Sequence, residues 1–319
     1  MNIISAIIFL AGGLVILWKC ADWLVTGAVG FAEKLGISPL VVGLTVVAMG
    51  TSAPEVAASI AAALRGAGDV AIGNVYGSNI ANLALVGGLC ALISPIRIQV
   101  RTLHYQIPVM LLVGLLLWPF LHNLYLSRTE GVILLGIFAI LILLTVLLAH
   151  RDTPNPSSDK PDTQSAMRTN KQITLLIIIG LAGLAVGADM TVRGAVFIGE
   201  RIGLNQAVIG LTIIAIGTSL PELATCLVAA LKRQSDISIG NLVGSNIFNT
   251  LLVTGTAGLV QPLTLAERLA GADYWIMIAV SAGFASAALI GRCVIGRTAG
   301  ILLLCVYAAY MVYLLAFSV

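Results

Sequence analysis

A 46-residue segment occurs twice in this chain. Residues 43–88 contain GLTVVAMGTSAPE and GNVYGSNIAN, and residues 210–255 contain GLTIIAIGTSLPE and GNLVGSNIFN. With a constant shift of 167 residues and no gap, 25 of the 46 positions are identical. Fourteen of the identities fall on Gly, Thr, Ser, Pro, Glu and Asn, which interrupt helices or carry polar atoms. Any fold must therefore hold two copies of one irregular, acidic element. The flanks repeat as well. Ala21–Val29 and Ala188–Val196 share AD and VxGAV at the same shift, so the repeat unit is half the chain.

The medium around those copies is apolar. Of 319 residues, 59% are hydrophobic and 10% charged, where a soluble domain carries roughly 25% charge. Runs of about 20 apolar residues, enough for a helix to cross a bilayer, lie near 2–30, 39–64, 71–94, 104–122, 129–149, 173–198, 206–231, 237–260, 271–291 and 298–317. The alternating segments of a membrane barrel are absent. The expected fold is an all-α membrane protein of ten transmembrane helices. Residues 1–149 form the first five-helix repeat, 150–172 a flexible linker rich in Pro, Ser, Asp and Lys, and 173–319 the second repeat. The first span lacks a basic leader region and reads as retained. The five Cys show no metal-ligand spacing, and no disulfide or chemistry is assigned to them.

Loop charge sets the orientation. Loops after the odd-numbered spans hold 11 Lys and Arg, and those after the even-numbered spans hold 4. The excess belongs on the cytoplasmic side, which puts the central loop there and both termini outside. A five-span repeat starts and ends on opposite sides, so the second copy enters inverted. This is the arrangement of many secondary transporters, whose sites lie at the repeat interface.

Glu55 and Glu222 are the only carboxylates in the middle of the second and seventh spans. An ionisable group at mid-bilayer costs about 2.5–3.5 kcal/mol on the insertion scale and is functional by default. The basic residues inside spans, Lys19 and Arg193, have local acids in Asp22 and Asp189 at helical spacing. Each Glu follows a proline. Pro54 leaves the Gly50 carbonyl without a donor and tilts that of Thr51; Pro221 does the same to Gly217 and Thr218. Irregular backbone at this depth must be buried in protein or line a cavity. Ser52 and Ser219 add hydroxyls. Ser78 with Asn82, and Ser245 with Asn249, are spaced i and i+4 on one helix face. Asn74, Asn79, Asn241 and Asn246 either join the site or bind neighbouring helices. Asp69 and Asp236 open their spans and read as N-caps.

Carboxylates, carbonyls, hydroxyls and amide oxygens without His or thiolate clusters suit hard cations. Two Glu match the charge of one Ca²⁺. Several Na⁺ could use the same ligands, and the charges leave H⁺ open as counter-ion. The two motifs resemble the α-repeats of the sodium/calcium exchanger family, within the cation/Ca²⁺ antiporter superfamily, over nearly the whole chain. The short central loop is similar to that of prokaryotic members. The resemblance implies Ca²⁺/Na⁺ antiport by alternating access, with helices 1 and 6 sliding against the rest, in a bacterial inner (plasma) membrane. It implies that Glu55 and Glu222, with the Thr51 and Thr218 carbonyls, hold Ca²⁺. Ser52, Ser78, Ser219 and Ser245, with the Ala48 and Ala215 carbonyls, serve Na⁺. Asn82 takes the central amide position. Asn249 stands where potassium-dependent relatives carry Asp, which speaks against potassium coupling.

No cofactor is expected, since Ca²⁺ and Na⁺ are cargo. The lipid bilayer is the other partner. Scattered basic residues argue against nucleic acid, and nothing marks an obligate protein partner. Ca²⁺/H⁺ exchange on the same fold is the neighbouring alternative. A channel would call for a ring of repeats around a normal axis, and Ser52 and Ser219 lack the nearby base of a hydrolase. The orientation is checked in cysteine-free protein. A cysteine introduced as Lys160→Cys should escape an impermeant thiol reagent applied to intact cells; labelling would reverse the topology.

Overall fold

Hydrocarbon offers backbone N–H and C=O groups no water, so a chain this apolar must satisfy them inside helices. The structure, a computed structural model, describes residues 1–149, 169–203, 209, 213 and 215–317. In chain order its helices are α1 Ile3–Leu35, α2 Pro39–Thr51, α3 Ala53–Leu64, α4 Gly68–Ile93, α5 Thr102–Leu121, α6 Arg128–Ala149 and α7 Asn170–Arg201. There follow α8 Ala215–Thr218, α9 Leu220–Leu231, α10 Ser235–Val260, α11 Glu267–Ile290 and α12 Arg297–Phe317. Among the described residues, eight helices are long and apolar enough to cross a membrane, and α2 with α3 makes a ninth crossing bent by 42°. The protein is an integral membrane protein. Most of the central linker and the start of the expected span at 206–231 lie outside the described residues.

Two helices run well past the hydrophobic minimum, and their caps show why. Asn2 and Ser5 form a capping box at the start of α1, with bonds of 2.8 and 2.9 Å. Thr169 and Gln172 do the same for α7. A capping box satisfies two orphan donors reciprocally and sets the start of a helix. The two helices pack antiparallel through small residues. Gly187 of α7 lies against Gly13 and Leu17, Gly180 against Cys20 and Leu24, and Gly194 against Ala6 and Leu10. Such residues let helix backbones approach closely where no hydrophobic drive operates.

Contacts elsewhere cross between the halves. The C-terminal turns of α4 pack on α12 through Gly88 and Gly300, and those of α10 pack on α6 through Gly255 and Gly131. Two short antiparallel ladders link loops. Strand β1 (Ile96–Arg97) pairs with β4 (Val294–Ile295), and β2 (Tyr125–Leu126) with β3 (Leu263–Thr264). In every case a segment of one half meets a segment of the other.

The same pattern corrects two expectations. Asp69 and Asp236 do not cap their helices; the cap residues are Ala67 and Gln234, with no side-chain bond. Asp69 Oδ1 instead accepts the Ala266 N–H at 2.7 Å, and Asp236 Oδ2 accepts Gln99 Nε2 at 2.7 Å. Each carboxylate ties down a loop of the opposite half. Asp22 does not pair with Lys19, which is exposed. Its partner is Lys232, with Nζ 2.6 Å from Oδ1. The Arg193–Asp189 pair forms as its spacing predicts, at 2.8 Å.

Helix α10 reaches the centre by lying on α2. A Cβ on Gly240 would stand 2.7 Å from the Leu40 carbonyl and 2.9 Å from the Leu44 nitrogen, both backbone atoms that cannot swing away. Gly240→Val should therefore cost about 1–3 kcal/mol, the usual range for overpacking. Its thermal unfolding in detergent should come earlier than that of wild type, while Gly136→Ala, at a position with no such neighbour among the described residues, should match wild type.

Candidate ion site

The site is built from two helix breaks. Ser52, with φ −82° and ψ 4°, separates α2 from α3, and Ser219, with φ −89° and ψ 6°, separates α8 from α9. Pro54 and Pro221 supply no N–H to the preceding turn. The bonds that bridge the first break run from Ser52 N–H to the Ala48 carbonyl at 3.0 Å and from Val56 N–H to the Ser52 carbonyl at 3.2 Å. At the second, Ser219 N–H bonds the Ile216 carbonyl at 3.1 Å. The halves thus turn the chain with slightly different geometry. Glu55 and Glu222 fall in the first turns of α3 and α9, where the helix dipole favours negative charge.

Both carboxylates are 0% exposed. They come from opposite halves to one break, since Ser52, three residues before Glu55, bonds Glu222. Ser52, from the first half, donates to Glu222 Oε1 at 3.1 Å, and Ser245 approaches the same oxygen at 3.5 Å. Ser78 lies beside Glu55, yet its hydroxyl forms no well-aligned bond there. Neither oxygen of Glu55, nor Glu222 Oε2, nor the Ser219 hydroxyl has a hydrogen-bond partner among the described residues. A buried polar group normally has one. Here two carboxylates lack a full complement, and among the described residues no basic side chain pairs with them.

Asn82 and Asn249 are buried, and all four of their amide atoms are unpartnered among the described residues. Each begins or sits within a π-helical turn, Ala81–Val86 and Asn249–Val253. Such wide turns inside α-helices are frequent at functional sites. The Thr51 hydroxyl donates to Asn241 Oδ1 at 3.1 Å, and the Ala48 carbonyl already accepts from Ser52 N–H and from Thr51. Thr218 is half-buried at the second break, and Ala215 begins α8. The twelve expected positions therefore lie on the breaks and on the middle turns of α4 and α10.

A supporting ring behind them was only partly legible. Asn74 donates to Ser59 at 2.9 Å and to the Glu55 carbonyl at 3.3 Å, and Ser59 donates to the Ala71 carbonyl. In the other half Asn241 donates to Cys226 at 3.3 Å, and Cys226 to the Ser238 carbonyl at 3.6 Å. Cys226 is the 167-residue counterpart of Ser59. Aligning the copies would have exposed this exchange of one small hydrogen-bonding group for another, although no chemistry was expected of any cysteine. Asn79 bonds Thr250 at 3.0 Å and Asn246 the Leu242 carbonyl at 2.7 Å, so these two amides tie helices or turns together.

Among the described residues there is no group of three His, Cys, Asp or Glu. The ligands on offer are oxygens, two of them paired carboxylates. That set suits hard cations with flexible coordination and disfavours Zn²⁺ or Cu⁺.

Comparison with known proteins agrees with that chemistry. Residues 5–147 and 172–316 match the family model described as sodium/calcium exchanger protein, so the chain belongs to the sodium/calcium exchanger family. It is 42% identical over 278 residues to a putative antiporter, CaxA, of Alkalimonas amylolytica, covering 86% of this chain and 87% of the relative. It is 33% identical over 337 residues to the sodium/calcium exchanger MaX1 of Methanosarcina acetivorans, covering 95% and 96%. The sodium-calcium exchanger NCX_Mj, solved without Na⁺ and Ca²⁺, superposes with a TM-score of 0.84 at 33% identity, over 98% of this chain and 100% of that one. The protein is accordingly a membrane transporter and not an enzyme, with ions as substrates and no cofactor.

The unpartnered Glu55 makes a stability prediction. Uncompensated buried charge is destabilising, so Glu55→Gln should unfold at a higher temperature than wild type in ion-free alkaline buffer. Added Ca²⁺ should raise the unfolding temperature of the wild type and leave that of this variant unchanged.

Proposed function

We propose that this protein exchanges Ca²⁺ for Na⁺ across a bacterial inner membrane by alternating access. The observation that carries the reading is the pair Glu55 and Glu222, one from each half, both buried and, among the described residues, without a counter-charge or enough donors. Two negative charges in a low-dielectric site require about two positive charges. One Ca²⁺ or a set of Na⁺ meets that requirement, and the two kinds of ion must then compete.

In this reading Glu55, Glu222 and the carbonyls of Thr51 and Thr218 hold Ca²⁺. Ser52, Ser78, Ser219, Ser245 and the carbonyls of Ala48 and Ala215 serve Na⁺, and Asn82 and Asn249 line the centre. One chain supplies both carboxylates, so no second subunit is needed to complete the site. Ten spans are arranged as two inverted five-helix repeats, 1–149 and 173–319, joined by a cytoplasmic linker, with both termini outside. Support for the inversion comes from contacts that recur with their halves exchanged: Gly13 on Gly187 against Gly180 on Cys20, and Gly88 on Gly300 against Gly255 on Gly131. Helices α1 and α7, packed on each other along their length, move together against the rest.

The test is radioactive Ca²⁺ uptake by proteoliposomes driven by an outward Na⁺ gradient. Wild type should take up Ca²⁺ without added K⁺, and Glu55→Gln and Glu222→Gln should each reduce uptake to background while remaining folded. Uptake indifferent to Na⁺ and driven by a proton gradient would replace Na⁺ with H⁺ as the coupling ion.

A further inference from the structure

The halves differ at one place where their duplication would make them alike. Helix α1 packs along α9. Lys232, just past the end of α9, reaches across to it and spends all three of its N–H donors there. Its Nζ lies 2.6 Å from Asp22 Oδ1, 2.8 Å from Thr26 Oγ1 and 3.4 Å from the Asp22 carbonyl. The 167-residue shift converts Asp22, Thr26 and Lys232 into Asp189, Arg193 and Arg65. In that set the cross-helix contact is not made. Helix α7 does not pack along α3. Arg65 is exposed and makes no ion pair among the described residues. Asp189 is held one turn away by Arg193 of its own helix, at 2.8 Å. Meanwhile α7 lies over both helix breaks, with Leu181 on Gly50 and Val192 on Gly217.

The two ion pairs respond differently to movement. Asp22 and Lys232 sit on separate helices, so sliding α1 past α9 must break them apart. Asp189 and Arg193 share one helix, so no rigid-body motion separates them. Arg193 also occupies the place where the other half has Thr26, an acceptor for the bridging ammonium. A guanidinium there competes for Asp189 instead of helping a cation from Arg65 to dock.

We propose that Asp22–Lys232 is a latch that holds the transporter closed on the face carrying Lys232, and that Asp189–Arg65 is the corresponding latch of the opposite state, weakened by Arg193. This rests on the alternating-access reading above. The unequal latches bias the ion-free protein toward the conformation seen here. A partly exposed pair shifts such an equilibrium by about 1.5- to fivefold.

Spin labels on Leu35→Cys and Leu231→Cys, exposed positions at the ends of α1 and α9, in otherwise cysteine-free ion-free protein, report the populations as a distance distribution. Asp22→Asn and Lys232→Gln should each shift the ratio of the two states about 1.5- to fivefold away from the wild-type major distance. Arg193→Thr should shift it the same way, and the exchange Asp22→Lys with Lys232→Asp should restore it. Distributions unchanged in Asp22→Asn and Lys232→Gln, or a charge exchange that fails to restore the major distance, would overturn the latch. Na⁺-driven uptake by the wild type is scored separately, so failure of the transport reading leaves a distinct mark from failure of the latch.

Discussion

Two carboxylates held away from water beside each other are the costliest feature of this protein, and the rest of the architecture exists around them. An isolated carboxylate in hydrocarbon would be neutralised or drawn to the interface. Glu55 and Glu222 stay because protein encloses them on every side and because each begins a helix whose dipole faces its charge. That placement requires a helix to stop and restart in mid-membrane. The Pro in each motif enforces the stop, and Ser52 and Ser219 take the non-helical turn. The carboxylates, the breaks and the buried hydroxyls are therefore consequences of one demand, a polar site far from bulk water.

A broken helix cannot face lipid, so each break must be covered by something else. The cover comes largely from across the duplication. Helix α10 seals α2 through Gly240 and Gly244, and α7 lies over Gly50 and Gly217. Ser52 of one half solvates Glu222 of the other, and Thr51 bonds Asn241 across the same boundary. The loop carboxylates Asp69 and Asp236 extend this exchange to the periphery. Each half thus helps to bury the other's break, which ties the two into one unit despite their separate sequences.

What was legible in the sequence follows from the range of each interaction. Hydropathy reports how long a segment is apolar, so nearly every described span was visible. It says little about where a helix ends in water, which here is set by the boxes at Asn2 and Thr169. Mid-span Glu55 and Glu222 were legible because charge in hydrocarbon is expensive wherever it occurs. The assignments of Asp22 to Lys19, and of Asp69 and Asp236 to their own helix ends, failed for a common reason. Local spacing offers a partner within one turn, while the folded chain offers one more than 130 residues away with better geometry. Cys226 was missed because thiols were weighed for metal and disulfide chemistry, whereas its work is a hydrogen bond shared with its counterpart Ser59.

Duplication of the backbone has not produced duplication of the electrostatics. Glu222 receives the Ser52 hydroxyl, with Ser245 close by, whereas no donor bonds either oxygen of Glu55 among the described residues. Since a carboxylate accepting hydrogen bonds is already partly solvated, the larger share of uncompensated charge rests on Glu55. On the exchange reading proposed above, a cation beside Glu55 would supply the compensation that missing donors leave undone. The neutral amides of Asn82 and Asn249, with all their polar atoms unpartnered among the described residues, suit the same reading. In that reading they offer oxygen dipoles without adding charge.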